Sequence, residues 1–227
     1  MLSRPAIKRL MEAGLIEVEP EPVNIGPNSI DLRMGASLKR YDRGGFIPYT
    51  DEAGKVHRAI DPTDPPALVD LPPQRMFNRK TNRWAEGWLL TPGDFYIGTT
   101  LEKTTCKGVV PHLDGRSTCG RLGIEAHKTA GVGDNGFSGF WTLEIQAAEP
   151  IFLRPGDRLF QVYFTPCWST AFAEILIRQD ARSLNQEALQ SLLYGELALL
   201  ETEDLYAQDG RGHYSADNAA RAAAPLD

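Results

Sequence analysis

Basic side chains are in the minority: 24 Lys and Arg stand against 30 Asp and Glu, for a net charge of −6. Gripping nucleic acid through many phosphates needs the opposite balance, so broad nucleic-acid binding is excluded, while a local basic pocket for a small anion is not. Cysteine is scarce as well. Cys106, Cys119 and Cys167 cannot all pair with one another and form no CxxC, which points to a reduced, cytoplasmic protein and away from a disulfide scaffold. The opening, Met1 to Arg9, has no apolar signal core. No apolar run approaches the roughly 18 residues of a membrane span. Histidine is limited to His57, His112, His127 and His213, scattered along the chain. HExxH is missing, as is HxE followed by PCxxC, so no zinc-hydrolase or zinc-deaminase signature is present. A P-loop and a GxGxxG fingerprint are missing too.

What is there describes a turn-rich globular chain. Apolar residues make up 42%, with 21 Gly and 16 Pro, and 227 residues suit one domain with appendages. Residues 3–14 predict a short helix: Ser3 can cap it, Pro5 sits in its first turn, Ile7, Leu10 and Met11 share a face, and Gly14 stops it. Short apolar stretches near Leu15, Ser29 and Ser37 read as strands. Residues 41–83, rich in Pro, Asp, Gly, Asn and Arg, read mainly as a long loop or insertion with one strand near Val56 to Ile60. From Trp88 to Phe164 strand signals come closely spaced, broken by Thr91-Pro-Gly-Asp, Asp134-Asn-Gly and Arg154-Pro-Gly-Asp. That density predicts a mainly β body, a distorted barrel or jelly roll. Leu189, Leu192, Leu193, Leu197 and Leu200 recur near a 3.6 period, so 183–201 reads as a helix laying its stripe on that body. The tail, 206–227, reads as a mobile lid or a frayed end.

Two segments concentrate polar chemistry. In Asp114-Gly-Arg-Ser-Thr-Cys-Gly-Arg-Leu-Gly123, Ser117 is a good cap and Thr118 to Leu122 can form a short helix. Its first N–H groups, with Arg116 and Arg121 beside them, suit phosphate oxygens. Equally open from the residues alone, Ser117 only caps and the arginines pair with nearby carboxylates. The second segment, Thr129 to Glu144, is a glycine-rich turn entering a strand. Strand alternation puts Phe140, Thr142 and Glu144 on one face and Trp141, Leu143 and Ile145 on the other. Glu144 is then either an ordinary exposed strand carboxylate or a reactive one.

These segments, with Thr91-Pro-Gly-Asp-Phe-Tyr-Ile-Gly-Thr-Thr-Leu-Glu and an N-terminal echo in Gly26-Pro-Asn-Ser-Ile-Asp-Leu-Arg-Met-Gly35, resemble the dCTP deaminase family, related in fold to the dUTPases. The resemblance implies a dUTPase-type β-clip fold over a single 1–227 domain and a homotrimer with active sites between subunits. It implies Mg²⁺ carried on the triphosphate and no zinc. By the same resemblance Glu144 activates the water that attacks C4 of cytosine, Ser117 and the Ala130 carbonyl hold that water, and Arg121 supports the charge around Glu144. Arg116, Ser117 and Thr118 grip the triphosphate, Asp134 lies near the deoxyribose, and Thr142 and Gln161 contact the nucleotide. Tyr206 and His213 close over it. Chemically, one partly buried carboxylate can take the water's proton and deliver it to the leaving ammonia, so zinc ligands are not required.

The leading expectation is hydrolytic deamination of dCTP to dUTP and ammonia. The alternative is a bifunctional deaminase and dUTP diphosphatase, or a dUTPase, giving dUMP and pyrophosphate. Ala130-Gly-Val-Gly-Asp134 resembles the dUTPase water-positioning turn, and Gly131 stands where deaminase-only members tend to carry a bulkier residue. A non-catalytic nucleotide-binding trimer is the third reading.

Overall fold

The N-terminal segment folds as the sequence leads one to expect. In the computed structural model, which describes residues 1–167, α1 (Arg4–Glu12) packs Ile7 and Leu10 into the core, with Pro at its start and Gly14 at φ +71 just past its end. Ser3 occupies the N-cap position, but its hydroxyl makes no capping bond. The chain then runs through β1 (Ile16–Glu19), β2 (Ser29–Leu32) and β3 (Met34–Tyr41).

The stretch 41–83 corrects the long-loop expectation. It holds β4 (Ile47–Thr50), β5 (Val56–Ala59), β6 (Leu68–Asp70) and β7 (Gln74–Asn78), before β8 (Arg83–Leu90). β4 and β5 form a hairpin around Asp51, whose carboxylate accepts from Ala53 N at 3.0 Å and Lys55 N at 2.9 Å. β7 and β8 form a second hairpin, its turn held by Asn78 Oδ1 and by Asn82 at φ +54. Most of these residues are solvent-exposed, so they lack the apolar alternation that marks a half-buried strand.

The remaining described elements are β9 (Phe95–Cys106), β10 (Val109–Gly115), α2 (Ser117–Arg121), β11 (Ile124–Glu125), β12 (Ser138–Ala147), β13 (Ile151–Leu153) and β14 (Phe160–Pro166). β9 is the hub. It pairs antiparallel with β1, β3 and β12, within a six-stranded sheet whose main path is β11-β12-β9-β3-β6, with β1 as the sixth strand joined to β9 off that path. Two three-stranded sheets, β10-β14-β2 and β13-β8-β7, complete the body.

The fold is mainly β, as expected, but among the described residues the sheets do not close into a barrel. Tight corners such as the one at Gly93 (φ +80) separate them. Register shifts at Met34/Leu38 and Phe140/Thr142 bend the central strands further. The helix expected at 183–201 and the lid expected at 206–227 lie outside the described residues. No helix among the described residues is long and apolar enough to cross a membrane.

β9 alternates strictly between half-buried and buried positions, and with β12 it walls a core that includes Leu32, Leu38, Leu143, Ile145, Phe160 and Phe164. One carboxylate, Glu102, sits at 0% exposure within it. It stays satisfied because Arg33 donates to it from its backbone N at 2.8 Å and from Nε at 2.5 Å. The cysteines form no disulfide, and burial pushes the Cys106 thiol up to about 12 and the Cys119 thiol up to about 11.

Candidate active site

Glu144 sits where strand alternation places it. Trp141, Leu143 and Ile145 are buried, while Phe140 and Thr142 are exposed and Glu144 is half-buried on the opposite face. These three outward residues line a cavity of about 120 Å³ together with Ala130, Val132 and Gly133. The carboxylate is fixed from the backbone: Lys128 N donates to Glu144 Oε2 at 2.7 Å, and Glu144 N donates to Ala126 O at 3.0 Å. Oε1 carries no protein hydrogen bond among the described residues. The register shift between Phe140 and Thr142 lies within this wall, and a wider depression of about 420 Å³ shares both residues.

The opposite rim is the turn 130–134. It is stitched to β10 by Leu113 N donating to Gly131 O at 2.6 Å and Gly133 N to Pro111 O at 2.9 Å. Gly131 permits a close approach: a Cβ there would lie 2.7 Å from the His127 ring and 2.8 Å from Leu113 O. His127 Nδ1 is buried without a partner among the described residues and its Nε2 faces Asp114 Oδ1 at 4.0 Å, but Leu113 O is main chain within β10 and cannot swing aside. Gly131→Val is therefore expected to cost about 2 kcal/mol by overpacking, lowering Tm by about 4–8 °C and displacing the Ala130 carbonyl. A thermal melt checks this; an unchanged melt would show that the turn yields freely. Asp134 is exposed beside Gly133, and its carbonyl accepts from Phe137 N at 3.0 Å.

α2 corrects one expectation. The N-cap position belongs to Arg116, and Ser117 is the first helical residue, so its hydroxyl is not a cap. The cap bond is instead made by backbone, with Cys119 N donating to Arg116 O at 2.7 Å. One turn apart, Arg121 Nη2 donates to Ser117 Oγ at 3.4 Å, which leaves the hydroxyl hydrogen able to donate outward. Thr118, half-buried, accepts from Leu122 N through its carbonyl at 3.0 Å. Ser117 and Arg121 do not line the Glu144 cavity.

Within the chain the two arginines are held differently, Arg121 only by Ser117 Oγ among the described residues. Arg116 pairs with a carboxylate: its Nε lies 3.1 Å from Asp31 Oδ1, and its Nη1 donates to Arg158 O at 3.0 Å. Asp31 is 3% exposed and also faces Arg158 Nε at 3.5 Å and Asn24 Nδ2 at 2.9 Å. Gln161, expected at the nucleotide, spends both ends of its amide inside the fold: Oε1 accepts from Ser29 Oγ at 3.0 Å, and Nε2 donates to Gly115 O at 3.1 Å.

Asp31 is thus the anchor beneath α2, and sequence reasoning did not single it out. The available signal was its position inside Ser29-Ile-Asp-Leu, an acid between two core residues. Asp31→Asn keeps the shape but leaves two arginines without their counter-charge. Because both are partly exposed, the expected loss is about 2–3 kcal/mol, or about 5–10 °C in Tm. Calorimetry checks it, and an unchanged melt would demote the anchor. Lys128, whose backbone N–H fixes Glu144, was also missed; backbone donors leave no mark in sequence. Its Nζ contacts Glu125 and Gln146. Tyr206 and His213 lie outside the described residues. Among the described residues no three His, Cys, Asp or Glu side chains are grouped to hold a metal ion.

Comparison with known proteins gives consistent matches. The family model described as dCTP deaminase-like matches residues 1–167. A protein of Hathewaya histolytica named "dCTP deaminase, dUMP-forming" is 53% identical over 165 residues, 72% of this chain and 81% of the relative. One of the same name from Cytophaga hutchinsonii is 51% identical over 150 residues, 66% of this chain and 73% of the relative. The crystal structure of 2'-deoxycytidine 5'-triphosphate deaminase from Agrobacterium tumefaciens superposes with a TM-score of 0.48 at 23% identity, over 78% of this chain and 52% of that one.

Proposed function

The chain belongs to the dCTP deaminase-like family, and from that premise we propose that it converts dCTP to dUMP, pyrophosphate and ammonia, with dUTP as the intermediate. The names of its relatives favour this bifunctional reading over deamination alone. The observation that carries it is the shared cavity: Glu144 forms one wall, and the turn from Ala130 to Gly133, with Asp134 next in sequence, forms the other. One small space then serves two hydrolyses.

In the first, water adds to C4 of the cytosine. Glu144 takes its proton through the oxygen not held by Lys128 N and passes it to N3; it then takes the proton of the new C4 hydroxyl and delivers it to the amino group, so that the C4–N bond breaks, C4=O forms and ammonia leaves. The Ala130 carbonyl and the Ser117 hydroxyl hold the water, and Arg121 steadies the charge. In the second, Asp134 positions a water for attack at the α-phosphorus, expelling pyrophosphate. Arg116, Ser117 and Thr118 receive the triphosphate, and Mg²⁺ enters with the nucleotide as part of the substrate. Thr142 packs against the nucleotide, Gln161 acts by holding Gly115 beneath α2, and Tyr206 and His213 close over the phosphates.

Ser117 and Arg121 are exposed and do not line the Glu144 cavity of their own chain, so a neighbouring copy in a homotrimer supplies them. Three cysteines without a disulfide suit the reducing cytoplasm.

The test is product stoichiometry with dCTP and Mg²⁺. Equal yields of ammonium, pyrophosphate and dUMP are expected. dUTP accumulating without pyrophosphate would return the protein to deamination alone, and binding without turnover would favour a non-catalytic nucleotide-binding trimer.

A further inference from the structure

Away from this site, the β7–β8 hairpin carries an uncovered aromatic surface. Trp84 is 58% exposed and Phe77 44% exposed. They face each other in register with ring centroids 5.2 Å apart, and the Arg75 guanidinium lies 5.0 Å over the Trp84 ring. β7 is a sheet edge. Residues 74–86 hold four cations, Arg75, Arg79, Lys80 and Arg83, against the single anion Glu86 opposite Arg75, in a chain whose net charge is −6. Exposed Trp beside Arg on an open edge is the composition of a contact surface.

The complementary chemistry is in the same chain. Residues 183–210 include Glu187, Glu196, Glu201, Glu203, Asp204 and Asp209 and contain no Lys or Arg, with leucines interleaved. Reach is ample: the 29 residues from Cys167 to Glu196 can span roughly 95 Å, against about 40 Å across a domain of this size. Tethering also raises the effective concentration of the segment to about the millimolar range.

We propose that the β7–β8 hairpin is the docking surface for the acidic, leucine-rich segment 183–205 of its own chain. Leucines cover Trp84 and Phe77, and the acids of 201–204 meet Arg79, Lys80 and Arg83. The segment ends immediately before Tyr206, so the contact fixes where the tail begins.

Carbodiimide cross-linking of the full chain, mixed from light and heavy isotopic preparations, tests this. Lys80 is expected to join Glu201, Glu203 or Asp204 within one isotopic form. The Lys39–Asp70 pair, 3.7 Å apart, is the internal control. Cross-links from Lys80 only between light and heavy chains, or none while the control reacts, would overturn the proposal. Hydrogen exchange gives a second reading: Glu201→Lys, Glu203→Lys and Asp204→Lys together should speed exchange of the hairpin amides about tenfold. Adding Arg79→Glu, Lys80→Glu and Arg83→Glu should restore protection. Exchange indifferent to the acidic reversals overturns the proposal, as does protection appearing only when a polyanion such as heparin is added.

Discussion

Glu144→Gln will stop ammonia release from dCTP while leaving the fold in place. The amide keeps the size of the side chain and an oxygen that can still accept from Lys128 N, which donates at 2.7 Å in the native protein. It cannot take a proton from water. Loss of one such group costs about 10²–10⁴ in rate, or about 3–5 kcal/mol of barrier. The proposed second hydrolysis draws on a different carboxylate, Asp134, so the same variant given dUTP directly should still form dUMP. Ammonium measured from dCTP and dUMP measured from dUTP, side by side, separate the two steps. Undiminished ammonium would remove Glu144 from the chemistry.

Asp134→Asn will give the opposite pattern. The side chain is exposed at the rim, and its residue's contribution to the turn is a backbone carbonyl accepting from Phe137 N, so stability should hold. Deamination should continue, dUTP should accumulate, and pyrophosphate release should fall by about 10²-fold. Pyrophosphate release at the native rate would assign the water-positioning role to another group.

The parts of this protein that were legible in sequence are those where burial writes a pattern. Ile7, Leu10, Pro5 and Gly14 give α1, and Phe140 to Ile145 place Glu144 on the outward face of β12, because one face of each element meets the core. β4 to β7 were not legible: their residues are mostly exposed on both faces, so Gln74, Arg75 and Asn78 look like loop. The barrel expectation failed for a related reason. Closure depends on which edges pair, and neither the register shifts at Met34 and Phe140 nor the ends of β6 and β11 are marked by composition. Within the site, residue types were readable and their local partners were not. Arg116 could face a phosphate or a carboxylate, and only the fold reveals Asp31 buried beneath it. Ser117 lost its capping role by a single position, a shift too fine for propensity to resolve.

The claim beneath all of this is that the reacting carbon of the base meets residue 144. A crystal structure of the Glu144→Gln protein with dCTP and Mg²⁺ measures that directly. The base should lie in the cavity between Thr142 and the Ala130 turn, with a water within hydrogen-bond reach, about 3 Å, of both the position 144 side chain and C4 of the cytosine. A nucleotide bound with its base outside that cavity, and C4 turned away from position 144, would contradict the account.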